Sequence, residues 1–178
     1  MFHIPLYHYK VRDWERKQDQ LLDLYCQISS DLANCNDELS DVYTDYFNNY
    51  GKTRYKNYVV DILRDELERF QADEQLYNPF VDEMWIQKYV GGSFHTPHNH
   101  GQLGFSSVLY VKYDANVHTP TRFIAPFPDI RGNILEHSPE VEEGSIVFFP
   151  SMIHHYVLPN KTKDIRIILS MNIREGKD

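Results

Sequence analysis

Cysteine is scarce. The 178 residues contain two, Cys26 and Cys35, too few for a disulfide framework. On one continuous helix their nine-residue separation would hold them about 13 Å apart along the axis, beyond the ~7 Å that a disulfide spans between Cα atoms. Two reduced thiols, and with them a cytoplasmic protein, are the expectation. Long hydrophobic runs are missing too: no stretch approaches the ~20 apolar residues of a membrane-spanning helix. The opening Met1-Phe2-His3-Ile4-Pro5 has neither a basic segment nor an apolar one, so no secretory signal is read there. Positive charge is in deficit, 18 basic against 26 acidic groups, net −8. Bulk electrostatics therefore offers no attraction to nucleic acid or anionic membrane, and neither is expected as a partner.

Histidine is abundant, nine residues, and unevenly placed. Residues 1–80 hold two of them and most of the charge, 15 acidic against 9 basic groups. Residues 81–178 hold seven. The length suits one domain over 1–178. Ile4–Tyr9 reads as a short strand. Asp13 is placed to cap a helix running to about Leu32, with Trp14, Leu21, Tyr25, Ile28 and Leu32 at helical spacing. Residues 36–56 read as loop around at most one short strand. A second amphipathic helix shows Val59, Val60, Leu63, Leu67 and Phe70 on one face. The acidic residues of both helices read as solvated faces. Beyond Pro79 the period becomes that of strands: Met84–Val90, Gly104–Tyr113, Thr121–Ile124, Ser145–Phe149, His154–Leu158 and Ile165–Ile173. Residues 1–80 are then a helical brace and 81–178 a β core, an α+β arrangement.

The last strand tells its two faces apart. Ile165, Ile167, Leu169, Met171 and Ile173 share one face, which needs an apolar cover that the helices supply. Arg166, Ile168, Ser170 and Asn172 share the other. An arginine on an inward face is costly unless an anion meets it, which points to an interior built around a polar ligand.

Three signals describe that ligand. In Pro97-His98-Asn99-His100, His98 and His100 project to one side of an extended chain and can share a metal ion. His95 falls on the opposite side by parity. In Phe149-Pro150-Ser151-Met152-Ile153-His154-His155-Tyr156-Val157, His155 shares parity with the apolar Ile153 and Val157, and His154 does not. Arg166 presents a planar fork suited to a carboxylate. A metal held by three side chains, with an arginine nearby, is arranged for a 2-oxo acid: one carboxylate and the keto oxygen at the metal, the far carboxylate at the arginine, and a position left for O₂.

These residues carry a resemblance. Pro97-His98-Asn99-His100, Ser106-Ser107-Val108-Leu109-Tyr110-Val111, Phe149 through Asn160, and Arg166-Ile167-Ile168-Leu169-Ser170-Met171-Asn172-Ile173 occur in the order found in Fe(II)/2-oxoglutarate-dependent oxygenases. The segment from Met84 to Arg174 is similar in particular to a group of small, prolyl-hydroxylase-like members. The resemblance implies a double-stranded β-helix, a jelly-roll barrel, with N-terminal helices packed on its major sheet. It implies His98 and His155 as iron ligands and Arg166 as the residue that binds the far carboxylate of 2-oxoglutarate. Tyr89, Tyr110 and Asn172 match positions that help bind the cosubstrate, or else pack the barrel. His100 stands where the superfamily usually carries a carboxylate. It is either the third ligand or lies behind a water or a nearby acid. The implied cofactors are Fe(II), 2-oxoglutarate and O₂. The implied reaction is hydroxylation of an unactivated C–H in a small-molecule or peptidyl substrate, with release of succinate and CO₂. Ala115–Glu143 is expected near the barrel mouth, where it could select that substrate. Oligomeric state is left open, a homodimer included.

Two other readings share these residues. A cupin that does not use 2-oxoglutarate fits Gly92, His98, His100, Gly144, Pro150 and His155. It lacks its glutamate, since Gly104 and Phe105 stand there, and it gives Arg166 no task. A non-catalytic binding barrel leaves the retention of both His155 and Arg166 unexplained.

Overall fold

A computed structural model describes residues 4–49 and 53–176. Along the chain run β1 (Tyr7–Lys10), α1 (Trp14–Ile28) followed by a 3₁₀ turn (Ser29–Asp31), β2 (Ala33–Asn36), β3 (Ser40–Thr44), α2 (Tyr46–Asn49), α3 (Lys56–Ile62) and α4 (Arg64–Glu74). Then come β4 (Pro79–Tyr89), β5 (Phe94–His98), β6 (Phe105–Lys112), β7 (Arg122–Ile124), β8 (Glu136–His137), β9 (Ser145–Pro150), β10 (His155–Val157) and β11 (Arg166–Glu175). Every pairing is antiparallel. The strands follow one curled path, β1-β9-β6-β11-β4-β3-β5-β10-β7-β8, with β2 added beside β3. This is the curled antiparallel sheet of a jelly-roll, with helices on one face.

The alternation of β11 divides the interior in two. Ile167, Leu169, Met171 and Ile173 pack with Leu21 and Leu24 of α1 and with Val59, Leu63 and Phe70 of the α3–α4 pair. Phe70 stacks on Phe148 of β9 at 4.2 Å between ring centroids. Ile168 belongs to a second cluster inside the curl, with Tyr89, Tyr110, Phe123, Phe149 and Val157. A helix-covered outer core and an inner core are thus written in one period-two strand. Gly144 marks where the brace meets the sheet. Its φ is +79°, and an added Cβ would lie 2.6 Å from the Trp14 indole, so only glycine lets α1 begin so close to the turn into β9.

Three expectations for the first eighty residues need correction. Asp13 precedes α1 but stands in the left-handed region and makes no side-chain cap; α1 ends at Ile28, and Leu32 follows a 3₁₀ turn. The second helix is two, bent at the fully buried Leu63, which lets Val59 and Phe70 both reach a curved sheet. The short strand allowed for within 36–56 is β3, which joins β4 to β5 and so connects the two halves of the sheet. Cys26 on α1 and Cys35 on β2 are both free, the unpaired thiols expected. Among the described residues no helix is long and apolar enough to cross a membrane.

Two acids of this region are not solvated. Asp45 accepts the Ile86 N–H at 2.8 Å and the Tyr55 hydroxyl at 2.6 Å, both buried. Glu66 accepts the Lys17 ammonium at 3.0 Å, with side chains only 3% and 5% exposed, and the Arg12 N–H at 2.9 Å. Removing one partner of a buried pair strands the other charge. Glu66→Ala is therefore expected to cost about 3–5 kcal/mol in urea denaturation. A loss below about 1 kcal/mol, the range of exposed pairs, would show that the pair is not sealed from water.

Candidate metal and cosubstrate site

β5 and β10 lie side by side, with His98 opposite His155. His100 lies just beyond the end of β5, its N–H donated to the Ser151 carbonyl at 2.9 Å. The three imidazoles form one cluster, with ring centroids 4.4 Å (His98–His155), 4.9 Å (His100–His155) and 5.4 Å (His98–His100) apart. Their ligand atoms lie within 4.8 Å of one another, close enough for one ion to draw together.

The hydrogen bonds settle which nitrogen is free. His98 Nδ1 is 2.8 Å from the Thr96 carbonyl and His155 Nδ1 is 3.0 Å from the Ile153 carbonyl. A carbonyl only accepts, so both Nδ1 atoms carry the proton and both Nε2 lone pairs are free. His100 Nδ1 lies 2.9 Å from Asn172 Oδ1 and 3.0 Å from Ser106 Oγ. Asn172 turns its amide N–H to the Glu83 carboxylate at 2.7 Å, which an ionised carboxylate requires, and so presents oxygen to His100. His100 therefore also offers Nε2.

Burial keeps these rings neutral. Desolvation, reinforced by the neighbouring imidazoles, holds His155 well below the ordinary value of 6.5. The same two causes bring His100 down to about 4, and desolvation is the largest cause at His98, also lowered. Neutral imidazole is the form that binds a metal. Metal-free protein should accordingly lose stability on acidification. Above 6.5 the rings are neutral folded or unfolded. Below it the unfolded chain takes up protons that the folded chain refuses, down to about pH 4 for His100. Urea denaturation of chelator-treated protein should show stability falling across that window; a flat profile would contradict the burial.

Arg166 lies deeper in the barrel, 2% exposed, opposite Tyr89 in the ladder of β11 with β4. Its guanidinium carbon sits 4.9 Å from the ring centroid of Tyr89 and 5.4 Å from that of Tyr110. Nη2 donates to Thr121 Oγ1 at 3.2 Å, while Nε and Nη1 have no protein partner. Two nitrogens without an acceptor on a buried cation call for an anion, which a carboxylate would supply. Tyr110 accepts the Thr121 N–H at 3.0 Å, which fixes that threonine just ahead of β7. Burial pushes the Tyr89 phenol up to about 12, so it stays a neutral donor beside the cation. The residues present thus fit a divalent metal and a dicarboxylate.

Other side chains surround these groups. Asn172, expected to help bind the cosubstrate, is engaged between His100 and Glu83. His95, assigned by parity to the opposite face, stacks on His98 at 3.8 Å and is brought down to about 3, first by burial and then by His98 and His100. The reason is a bulge: three residue steps from His95 to His98 face two from His155 to Val157, and alternation fails there. His154 does point away, exposed beside Asn99. His118 ties the β6–β7 loop to the Asp164 carbonyl, just ahead of Arg166. His3 lies outside the described residues. Sequence reasoning missed Glu83 and Thr121. Glu83 shares strand parity with Trp85, Gln87 and Tyr89 on β4, a signal hidden by starting that strand at Met84. Thr121 had no local signal.

A cavity of about 340 Å³ opens in front of His95, His98 and His100, walled by Tyr46, Trp85 and Glu83 among others. Its lining comes from residues 35–47, β4, β5 and its continuation to His100, and Asn172. None comes from Ala115–Glu143, the segment expected to select substrate.

Residues 83–172 match the family model described as "Putative 2OG-Fe(II) oxygenase". No curated protein matches the chain. Among solved structures, the chain is similar to a Pseudomonas putida prolyl-4-hydroxylase (16% identity, TM-score 0.69, covering 98% of this chain and 94% of that one). It is similar also to the viral collagen prolyl hydroxylase of Paramecium Bursaria Chlorella virus-1 (14%, 0.62, 96% and 96%). The α-ketoglutarate-dependent epimerase SnoN of nogalamycin biosynthesis is a third (9%, 0.72, 97% and 78%). At these identities the structures establish the shared fold.

Proposed function

The chain belongs to this 2OG-Fe(II) oxygenase family, and on that premise we propose that His98, His100 and His155 hold Fe(II), that Arg166 anchors 2-oxoglutarate, and that the enzyme hydroxylates an unactivated C–H of an amino-acid or peptidyl substrate. The observation that carries the reading is the buried Arg166 with two unsatisfied N–H groups, in the same barrel as three free imidazole lone pairs. When bound, Fe(II) supplies the oxidising chemistry of the family, in which O₂ is consumed and 2-oxoglutarate ends as succinate and CO₂.

The protein's own residues bind, orient and exclude. The three Nδ1–H bonds aim the Nε2 lone pairs inward and set the ring planes. Arg166 fixes the far carboxylate, and the Tyr89 and Tyr110 rings exclude water from that contact. The cavity beside the histidines receives the substrate, with Tyr46 and Trp85 as an aromatic wall, 5.0 Å between centroids. A side chain or small amino acid fits its volume. A cupin reading has no use for a buried arginine lacking an anion.

The test is succinate formation by purified protein with Fe(II), 2-oxoglutarate and O₂, followed by a mass-spectrometric search of peptide and metabolite pools for a product heavier by one oxygen atom. Succinate that requires the metal supports the reading; no turnover under any pool would overturn it. Asn172→Ala should lower metal affinity by about 10–100-fold, because His100 Nδ1 is then left with the Ser106 hydroxyl, which can donate as well as accept and so does not fix the tautomer. Unchanged affinity would mean that His100 is not a ligand.

A further inference from the structure

Three neutral imidazoles bring no negative charge to a divalent cation. The lining of the cavity in front of the histidines holds one carboxylate, Glu83, and no lysine or arginine. Glu83 is half-buried on β4, on the same strand face as Trp85 and Gln87. Among the described residues no cationic side chain lies within salt-bridge distance of it; Arg174, at the far end of the ladder partner β11, pairs with Asp82. Its contact is the Asn172 amide, 2.7 Å from Oε2, and the oxygen of that same amide meets His100 Nδ1 at 2.9 Å. Ser106 donates to the same oxygen at 2.8 Å and is itself 2.8 Å from Ser151 Oγ, so the amide cannot turn without breaking several bonds.

Charge arithmetic gives this line of atoms a purpose. With neutral imidazoles, a divalent metal and the dianion of 2-oxoglutarate cancel, and Arg166 leaves one positive charge in a poorly hydrated barrel. One carboxylate restores neutrality, and such charges are felt strongly where water is excluded. An ionised carboxylate polarises the amide it accepts from, and hydrogen bonds in a chain strengthen one another.

We propose that Glu83 is a positioning residue for the metal centre: it holds Asn172 in the orientation that makes His100 an Nε2 donor, and supplies through that relay the negative charge that three imidazoles lack. The inference rests on the metal-ligand assignment above and extends it to a residue outside the histidine set. No bond is made or broken; the carboxylate acts by charge and hydrogen bonding alone.

Glu83→Gln separates charge from geometry, since the glutamine oxygen can still accept from Asn172. Anaerobic titration with Co(II) as the probe metal reads affinity, and subsequent addition of 2-oxoglutarate reads cosubstrate binding to the metal-loaded protein. The expected result is Co(II) affinity lower by about 10–100-fold with 2-oxoglutarate binding undiminished, because the dianion meets one less negative charge. A structural lesion would weaken both together, and that outcome, or unchanged Co(II) affinity, overturns the proposal. As a second variant, Asn172→Ala cuts the relay at its centre. Adding Glu83→Gln to it should lower Co(II) affinity no further, whereas additive losses would show two independent effects and overturn the relay. Wild-type protein that binds Co(II) but never turns over 2-oxoglutarate would sink the functional reading while leaving this inference standing. Wild-type protein that binds no Co(II) would sink both.

Discussion

His155→Ala and His98→Ala should each lower succinate formation from 2-oxoglutarate by about 10³-fold or more. Each removes one of three donors whose Nε2 lone pairs share a small space, and the metal's contribution is worth several kcal/mol, with every 1.36 kcal/mol a factor of ten. The two positions are equivalent in construction. Each ring is locked by its own backbone two residues upstream, Thr96 for His98 and Ile153 for His155, and the two residues face each other across the β5–β10 ladder. The neighbouring histidines are not part of the three-histidine group: His95 stacks on His98 and His154 points to solvent. Because His155 is buried, His155→Gln serves as a less disruptive companion. Folding is checked by near-ultraviolet circular dichroism. Normal succinate formation in either alanine variant would remove that residue from the metal site.

Arg166→Met should raise the KM for 2-oxoglutarate by about 10²-fold while leaving the ligand-free protein as stable as the wild type, or more so. The first effect follows from losing a desolvated, charge-assisted contact to a carboxylate, worth about 2–5 kcal/mol. The second follows from the ligand-free geometry. Arg166 is buried with Nε and Nη1 unsatisfied and one long bond to Thr121, so it is a cost to the empty fold that a shorter, uncharged methionine does not impose. The combination separates a ligand-binding arginine from a structural one. An unchanged KM would remove its role, and a loss of several kcal/mol in stability would make it a structural residue.

How far sequence alone reaches follows from where each signal sits. The two faces of β11 were legible because both are continuous: Ile167, Leu169, Met171 and Ile173 against the helices, Arg166, Ile168 and Asn172 toward the interior. His98, His100 and His155 were legible because two lie two residues apart and the third stands on an apolar face. The place of β3 was not, since Ser40-Asp41-Val42-Tyr43-Thr44 is polar and short, and beyond its neighbour β2 it pairs with strands some fifty residues later. His95 was misplaced because alternation presumes a regular ladder and the ladder there is bulged. The buried roles of Glu66 and Glu83 depend on partners 49 and 89 residues away, which no local pattern announces. Segment 35–47, read as connection, supplies much of the cavity wall.

The central claim is that one metal at the three histidines and one arginine in the barrel hold 2-oxoglutarate together. Anaerobic absorption spectroscopy tests it most directly. Adding 2-oxoglutarate to Fe(II)-loaded wild-type protein should produce the weak visible charge-transfer band of a metal-chelated 2-oxo acid, and the band should be lost in His155→Ala and require far more 2-oxoglutarate in Arg166→Met. Protein that binds Fe(II) with no spectral response to 2-oxoglutarate, or a band indifferent to Arg166, would contradict the account.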